Sequence, residues 1–158
     1  MDCGIEADGL KFRYRAAAII IEDDRMLLLE NDRDPYLYTV GGAVNIGETA
    51  EEAVVRECVE EIGVCYEPER LAVIQEEFYP EPARDGSILR AHELGFFFVM
   101  RPRGTTDGIM ESSRSDGFEE RTVWVPLDDL GNRTVIPPFL ADPESYSGQL
   151  KHLVAQLL

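Results

Sequence analysis

Residues 42–64 read GAVNIGETAEEAVVRECVEEIGV, and this stretch predicts a loop, a helix and a second loop. Thr49 followed by Glu52 matches the capping box that begins a helix, and Gly63 is placed where a left-handed residue would end it. Between them the apolar side chains recur at helical spacing: Val54, Val55, Cys58, Val59 and Ile62. The pattern predicts an amphipathic helix whose apolar face packs into the core.

The polar face of this helix carries a group of carboxylates. Glu57, Glu60 and Glu61 stand at positions i, i+3 and i+4, which share one face of a helix. Like charges at these spacings destabilise an isolated helix by about 0.2–0.5 kcal/mol per pair. A hard divalent cation such as Mg²⁺ binds carboxylate oxygens and would reverse the sign of that contribution. The spacing therefore indicates a metal-binding face.

The glycines and charges around the helix have a spacing that resembles the Nudix box, GX5EX7REUXEEXGU, where U is apolar. Its specified residues here are Gly42, Glu48, Arg56, Glu57, Glu60, Glu61 and Gly63. Cys58 is a small residue at the first apolar position, and Val64 fits the second. Many relatives begin the box with Pro-Gly-Gly, where this chain has Val40, Gly41 and Gly42. On these residues the chain is similar to Nudix hydrolases.

The resemblance implies an α/β fold, the Nudix fold, which is an α/β/α sandwich around a mixed β-sheet. Strands are predicted to begin near Phe12, Met26, Tyr38, Glu69, His92 and Arg121. We expect the strand from Met26 to be the hairpin partner of the strand from Phe12. A short helix is predicted at Pro126, and leucine spacing predicts a second helix over residues 147–158.

The segments between these elements read as loops. Residues 80–91 and 101–120 are rich in turn-forming and polar residues, and we expect the choice of substrate to depend on them. Residues 1–10 carry little pattern and are expected to be a loose leader. A length of 158 residues predicts one domain, a Nudix hydrolase domain over 1–158.

Each candidate site residue follows from the resemblance, position by position. It implies that Glu57, Glu60, Glu61 and the carbonyl oxygen of Gly42 hold one to three Mg²⁺ or Mn²⁺ ions. Arg56 would hold a neighbouring glutamate in place, since its planar fork suits bidentate contact with a carboxylate. Glu48 would support the ligands or join them.

The general base and the substrate contacts are less sharply defined. Within the box Glu60 is the candidate base, and the long loop offers Glu111, Glu119 and Glu120 as alternatives of equal weight. With Glu60, Arg56 and Glu48 complete the catalytic set. Arg15 leads into the first buried strand, where relatives often carry an arginine near the site, and it is the candidate for substrate binding.

Composition limits the partners and the location. A formal net charge of −16 argues against a general binder of polymeric nucleic acid, because phosphate backbones need a positive surface. No apolar run approaches the roughly 18 residues of a membrane span, and no secretory signal opens the chain. Three cysteines, an odd number, favour a reducing, cytoplasmic location. Relatives often form homodimers, although no segment here specifies one.

The leading hypothesis is a Mg²⁺-dependent hydrolase that cuts the pyrophosphate of a nucleoside diphosphate linked to another group. ADP-ribose and nucleotide sugars rank first among its substrates. The alternatives are a nucleoside triphosphate pyrophosphohydrolase that cleans the nucleotide pool and a Nudix-like module that senses a nucleotide without cutting it. An acidic Ca²⁺-binding protein is not favoured, because the sequence lacks the 12-residue ligand loop of that class.

Overall fold

The structure is a computed structural model that describes residues 1–115 and 117–157. Asp116 of the predicted long loop and Leu158 of the predicted last helix lie outside the described residues. In chain order the elements are β1 (Gly4–Ala7), β2 (Leu10–Ile19), β3 (Ile21–Glu22), β4 (Arg25–Asn31), β5 (Leu37–Tyr38), β6 (Gly41–Ala43), α1 (Ala50–Ile62), β7 (Pro68–Pro82), β8 (Ile88–Met100), β9 (Ser112–Ser115), β10 (Phe118–Pro126), β11 (Val135–Ile136) and β12 (Lys151–Gln156).

The strands form two sheets. The first has the order β1-β2-β8-β7-β12, and β6 also pairs with β2. It is mixed, because β2 runs parallel to β8 and β12 runs parallel to β7 while the other pairs are antiparallel. The second sheet has the order β11-β5-β4-β10-β9, with β3 also on β4. Mixed sheets with one described α-helix agree with the predicted α/β class.

Strand β2 separates two halves of the core. Successive side chains of a strand point to opposite faces, so Ala16 and Ala18 face α1 while Ala17 and Ile19 face the second sheet. All four are fully buried. The small side chains on the helix side let α1 lie close to the sheet, and this closeness brings its polar edge to the end of β6.

Helix α1 begins and ends as predicted. The Thr49 hydroxyl accepts from the Glu52 backbone N–H, the Glu52 carboxylate accepts from the Thr49 N–H, and Gly63 is left-handed with a φ of 75°. A Cβ on Gly63 would lie 2.9 Å from Cγ of Met110, so this turn needs glycine twice over. The predicted apolar stripe is wrong at Val59, which is 49% exposed.

The C-terminal segment is a strand, and the predicted helix over residues 147–158 is wrong. Residues 151–156 lie parallel to residues 73–78 of β7. The leucines fit a helical period, but the edge strand β7 has unpaired backbone groups. The segment forms hydrogen bonds with them and becomes a strand instead of a helix. The short helix predicted at Pro126 is also wrong in place, since β10 ends at Pro126 and a 3-10 turn follows at Leu130–Asn132.

Three further segments differ from prediction. The first 10 residues are not all loose, because β1 pairs with β2. The loop over residues 80–91 shrinks to residues 83–87, since β7 and β8 continue into it as a long hairpin. The loop over residues 101–120 ends where β9 begins, which places Glu119 and Glu120 on strand β10.

The predicted hairpin partner of β2 is corrected as well. The predicted turn at Asp23-Asp24 joins β3 to β4 in a hairpin, but β2 itself lies in the other sheet. Strand β4 also pairs antiparallel with β5 and β10. Beside it, the buried carboxylate of Glu22 accepts from the backbone N–H groups of Arg103 and Gly104 and from the Tyr66 hydroxyl. The two backbone bonds tie the start of the 101–111 loop to the second sheet, and the third ties the segment between α1 and β7 to it.

Candidate active site

Arg56 is the centre of the box cluster, by which we mean Glu48, Arg56, Glu57, Glu60 and Glu61. Its Nε and Nη2 donate to the two carboxylate oxygens of Glu48 at 2.8 and 2.9 Å, a bidentate contact. Nη2 also donates to the Ala43 carbonyl oxygen at 3.0 Å. Nη1 reaches Glu57 at 2.5 Å and Glu60 at 3.3 Å. One guanidinium therefore positions three carboxylates and the loop that precedes the helix.

Glu48 is strongly held in its ionised form. Besides the guanidinium, the backbone N–H of Asn45 donates to it at 2.9 Å. The hydrogen bonds from Arg56 are the largest cause that lowers the pKa of Glu48 to about 2. The same contact raises the pKa of the Arg56 guanidinium. The guanidinium holds chiefly Glu48 in place, and the part of Arg56 in catalysis stays a prediction.

Glu57 and Glu61 lie deeper, between α1 and the strand β6. Glu57 is only 8% exposed, and burial raises its pKa despite the hydrogen bond from Arg56. Glu61 accepts from the Gly41 backbone N–H at 2.9 Å. Burial raises the pKa of Glu61 to about 8, and the negative charges of Glu120 and Glu57 act in the same direction. Glu57 and Glu61 are therefore poorly solvated, and the positive charge near them does not balance their negative charge.

Strand β10 adds a further carboxylate near Glu61. Glu120 is 9% exposed, and its Oε1 accepts from the Tyr38 hydroxyl at 2.8 Å. Its Oε2 is buried and has no hydrogen-bond partner in the described part of the chain. Asn31 donates to the Tyr38 oxygen at 2.9 Å, so a short chain of hydrogen bonds fixes Glu120 in position. Sequence reasoning missed Tyr38 and Asn31 as supports.

The three candidate bases outside the box, Glu111, Glu119 and Glu120, therefore differ in their surroundings. Glu111 and Glu119 are exposed, and neither side chain makes a hydrogen bond to another described residue. Glu120 alone of the three acts on the pKa of a box carboxylate, Glu61. Glu60 is at the outer edge of the helix, with its side chain 57% exposed. The alternation of β10 could have selected Glu120, but the segment was interpreted as a loop.

Gly42 gives the carboxylates the space they occupy. A Cβ at this position would lie 2.4 Å from Oε1 of Glu57, which is closer than non-bonded atoms approach. Any other residue would push Glu57 away from the loop. The glycine therefore lets the carboxylate fold against the backbone of β6, beside the carbonyl groups of that strand.

The donor set suits a hard divalent cation. Its groups are carboxylates and backbone carbonyls, the ligands that Mg²⁺ takes, and the buried Oε2 of Glu120 has a vacant acceptor site. As the side chains stand, no three acidic, histidine or cysteine side chains among residues 1–115 and 117–157 converge closely enough to hold an ion. Glu57 is turned toward Arg56 instead. The chemistry fits a cation, and the assignment of ligands stays a prediction.

Arg15 lies at the edge of the same site. Its Nη2 donates to the carbonyl oxygens of Thr39 and Gly41 at 3.2 and 3.4 Å. Its Nε is buried and has no hydrogen-bond partner among the described residues. The positive charge of Arg15 acts against the raised pKa values of Glu57 and Glu61. The residue chosen from sequence for substrate contact therefore stands beside the box carboxylates.

A mixed-sheet α/β fold with a helix-borne carboxylate cluster defines a class, and comparison with known proteins gives its name. A family model described as the NUDIX domain matches residues 11–144. The chain belongs to the Nudix hydrolase family, as its box predicted. Among the described residues no helix is both long enough and apolar enough to cross a membrane.

Two curated relatives match part of the chain. The ADP-ribose pyrophosphatase of Methanocaldococcus jannaschii is 35% identical over 85 residues, which cover 52% of this chain and 46% of that protein. The 8-oxo-dGDP phosphatase NUDT18 of Homo sapiens is 31% identical over 118 residues, which cover 72% of this chain and 32% of that protein. The chain thus spans less than half the length of each.

Solved structures confirm the fold. A MutT protein from Bacillus halodurans matches with a TM-score of 0.65 at 18% identity, covering 90% of this chain and 89% of that one. A UDP-X diphosphatase matches with a TM-score of 0.60 at 17% identity, covering 94% and 68%. At such identities the likeness establishes the Nudix fold and carries no information about substrate.

Proposed function

We propose that this protein hydrolyses the pyrophosphate linkage of a nucleoside diphosphate joined to another group, in a reaction that depends on Mg²⁺ or Mn²⁺. The observation that carries this proposal is the arrangement around Arg56. One guanidinium binds Glu48, Glu57 and Glu60 while a backbone N–H binds Glu61, so the whole carboxylate set is held at one edge of the helix.

The residues that would hold the cation are Glu57, Glu60, Glu61 and the carbonyl oxygen of Gly42. A bound divalent cation supplies charge neutralisation of the phosphate oxygens and a lower pKa for bound water. Arg56 keeps Glu48 ionised and fixes the edge of the helix against the loop. Glu61 would release its proton at neutral pH when a positive charge arrives, since burial is what raises its pKa.

Two glutamates are candidates for the group that takes a proton from the attacking water. Glu120 is the stronger candidate, because Tyr38 orients one oxygen and leaves the other without a partner among the described residues. Glu60 is exposed and shares Arg56 with two other carboxylates. Arg15, beside Gly41, would bind a phosphate oxygen of the substrate through its free Nε–H.

Two substrate groups are supported by the names of the relatives. The ADP-ribose pyrophosphatase of Methanocaldococcus jannaschii supports ADP-ribose or a nucleotide sugar, which we place first. The phosphatase NUDT18 supports an oxidised guanine nucleotide, and its similarity covers more of this chain. Hydrolysis of nucleoside di- or triphosphates is therefore the second candidate.

The test is a hydrolysis assay with purified protein. ADP-ribose, UDP-glucose, dGTP and 8-oxo-dGDP would each be incubated with Mg²⁺, with Mn²⁺ and with a chelator, and the products separated by anion-exchange chromatography. We expect release of a nucleoside monophosphate that stops with the chelator. Tight binding of one nucleotide without turnover of any would instead identify a sensing module.

A further inference from the structure

A polar strip continues from Arg15 across the first sheet, away from the box cluster. Arg15 of β2 lies opposite Gly95 of β8, and Gly95 lies opposite Gln75 of β7. A Cβ on Gly95 would lie 2.8 Å from Cε2 of Phe97, so the Phe97 ring covers the middle of this row. This first row is apolar in the middle and polar at both ends.

The next row along the same strands is charged. Arg13 lies opposite Glu93, which lies opposite Glu77. Because side chains repeat on one face every two residues, this row faces the same side as the Arg15 row, about 7 Å further along. We call these two rows, Arg13, Arg15, Gln75, Glu77, Glu93 and Gly95, the strand floor.

The polar groups of the strand floor are partly buried and have few hydrogen-bond partners among the described residues. Gln75 is 5% exposed, and its side-chain amide makes no hydrogen bond to any described residue. Glu93 is 8% exposed, and its one ionic contact is with Nη1 of Arg13 at 3.4 Å. The buried side-chain atoms that lack a partner in the described part of the chain include no atom of Gln75, Glu77 or Glu93. Their polar atoms therefore keep contact with solvent, and a ligand can reach them.

Glu77 and Tyr36 complete the surroundings. Glu77 is half-buried and makes no hydrogen bond to any described residue. Burial, followed by the nearby charge of Glu93, raises the pKa of Glu77. Tyr36 is close enough to the strand floor for the charges of Arg15 and Glu77 to act on its pKa, which burial raises. An aromatic ring and a set of hydrogen-bonding groups thus face one space.

We propose that Gln75, Glu77 and Glu93 form a subsite that selects the substrate by its hydrogen-bond donors, at a part of the substrate remote from the bond that is cut. The inference rests on the proposed function, because Arg15 connects this subsite to the site of cleavage. Carboxylates accept hydrogen bonds, so the selected group carries at least two donors on neighbouring atoms. The cis-diol of a ribose and the N1–H with the 2-amino group of guanine both have this chemistry.

A binding experiment distinguishes these two sources without needing turnover. The ligands are the α,β-methylene diphosphates of guanosine, adenosine and their 2′-deoxy forms, titrated by calorimetry with Mg²⁺ present. Wild type would be compared with Glu77→Gln and Glu93→Gln, and Glu69→Gln is the control because it removes an exposed carboxylate from the same strand. Glu77→Gln is the cleaner variant, since Glu93→Gln also releases Arg13.

We expect wild type to prefer either ribose over deoxyribose or guanine over adenine. In both floor variants that preference should fall by about tenfold or more, the loss expected for a hydrogen bond to a charged acceptor, while the control keeps it. Equal binding of all four ligands, binding of none, or an unchanged preference in the variants would overturn the subsite. Selective binding of these ligands, together with no hydrolysis of any nucleotide in the assay described above, would overturn the proposed function and leave the subsite standing.

Discussion

The box cluster and the strand floor are both half-buried polar groups on neighbouring elements, and they differ in how their hydrogen bonds are satisfied. In the box cluster Arg56 and the backbone supply donors to Glu48, Glu57, Glu60 and Glu61. In the strand floor Gln75 and Glu77 have no such donor among the described residues. The protein itself supplies the hydrogen-bond donors of the box cluster, whereas the strand floor has acceptors that no described residue bonds.

This difference separates two uses of buried polarity. A hydrogen-bonded cluster contributes to stability because each charge has a partner that water would otherwise supply. An incomplete cluster costs stability, and a ligand that supplies the missing donors recovers that cost on binding. Loss of Glu48, the best-paired carboxylate of the box cluster, and loss of a strand-floor group should therefore change the free energy of unfolding in opposite directions.

The largest effect is expected on catalysis. Glu61→Gln should lower kcat by about a hundredfold or more, because it removes a charge that would hold the cation, and Glu60→Gln should do the same. The melting temperature of Glu61→Gln without metal should stay level or rise at pH 8, since the native carboxylate is poorly solvated. Initial rates and melting curves measure the two quantities. Near-wild-type rates in both variants would remove these glutamates from the metal site.

The next effect concerns stability in the box cluster. Glu48→Gln should lower the free energy of unfolding by about 1–2 kcal/mol at pH 7, because a pKa of about 2 reflects a strong contact with Arg56 that nearby solvent screens in part. A lowered pKa contributes stability that is present above the ordinary glutamate range near 4.5 and is lost as pH falls toward 2. The difference from wild type should therefore shrink below pH 4.5.

Urea denaturation at pH 7, 5, 4 and 3 would follow that difference. Glu51→Gln is the matched control, because Glu51 is an exposed glutamate of the same helix. A loss in Glu48→Gln that stays the same size at pH 3 would show that packing, and not the ion pair with Arg56, is what the substitution removes.

The two regions also differ in how far sequence reasoning reached. The box helix was predicted with both ends because its signals are local: Thr49 and Glu52 bond each other, and Gly63 needs only its own left-handed turn. Its glutamates and Arg56 are within a few residues of one another, so one helix brings them together. The spacing alone was sufficient there.

The strand floor depends on pairings between strands that the sequence does not state. Gln75 becomes significant only when β7, β8 and β2 lie side by side and in register. The polar residues before Glu120 predict a loop at this position, although β10 begins at Phe118. The last segment shows the same limit, since the free edge of β7 outweighed its helical leucine spacing. Long-range pairing decided each of these cases.

A substitution in the strand floor should raise stability. Gln75→Met keeps the volume while removing an amide that is 5% exposed and has no described hydrogen-bond partner. We expect the free energy of unfolding to rise by up to about 1 kcal/mol, because the amide is mostly removed from water. Gln156→Met is the control, because Gln156 is an exposed glutamine of β12. A clear loss of stability at position 75 alone would mean that the amide is satisfied in solution.

In the smallest expected effect, the free energy of unfolding depends on pH with opposite sign in the two regions. The pKa of Glu77 is raised by burial and by Glu93, so the folded state binds its proton more tightly than the unfolded state does. Its contribution to stability therefore falls as pH rises above the ordinary glutamate range, opposite to that of Glu48. Glu77→Gln removes this loss. Its free energy of unfolding should exceed that of wild type by about 0.5 kcal/mol at pH 8 and equal it at pH 4. Parallel pH profiles for Glu77→Gln and Glu48→Gln would mean that the strand floor is as well satisfied as the box cluster.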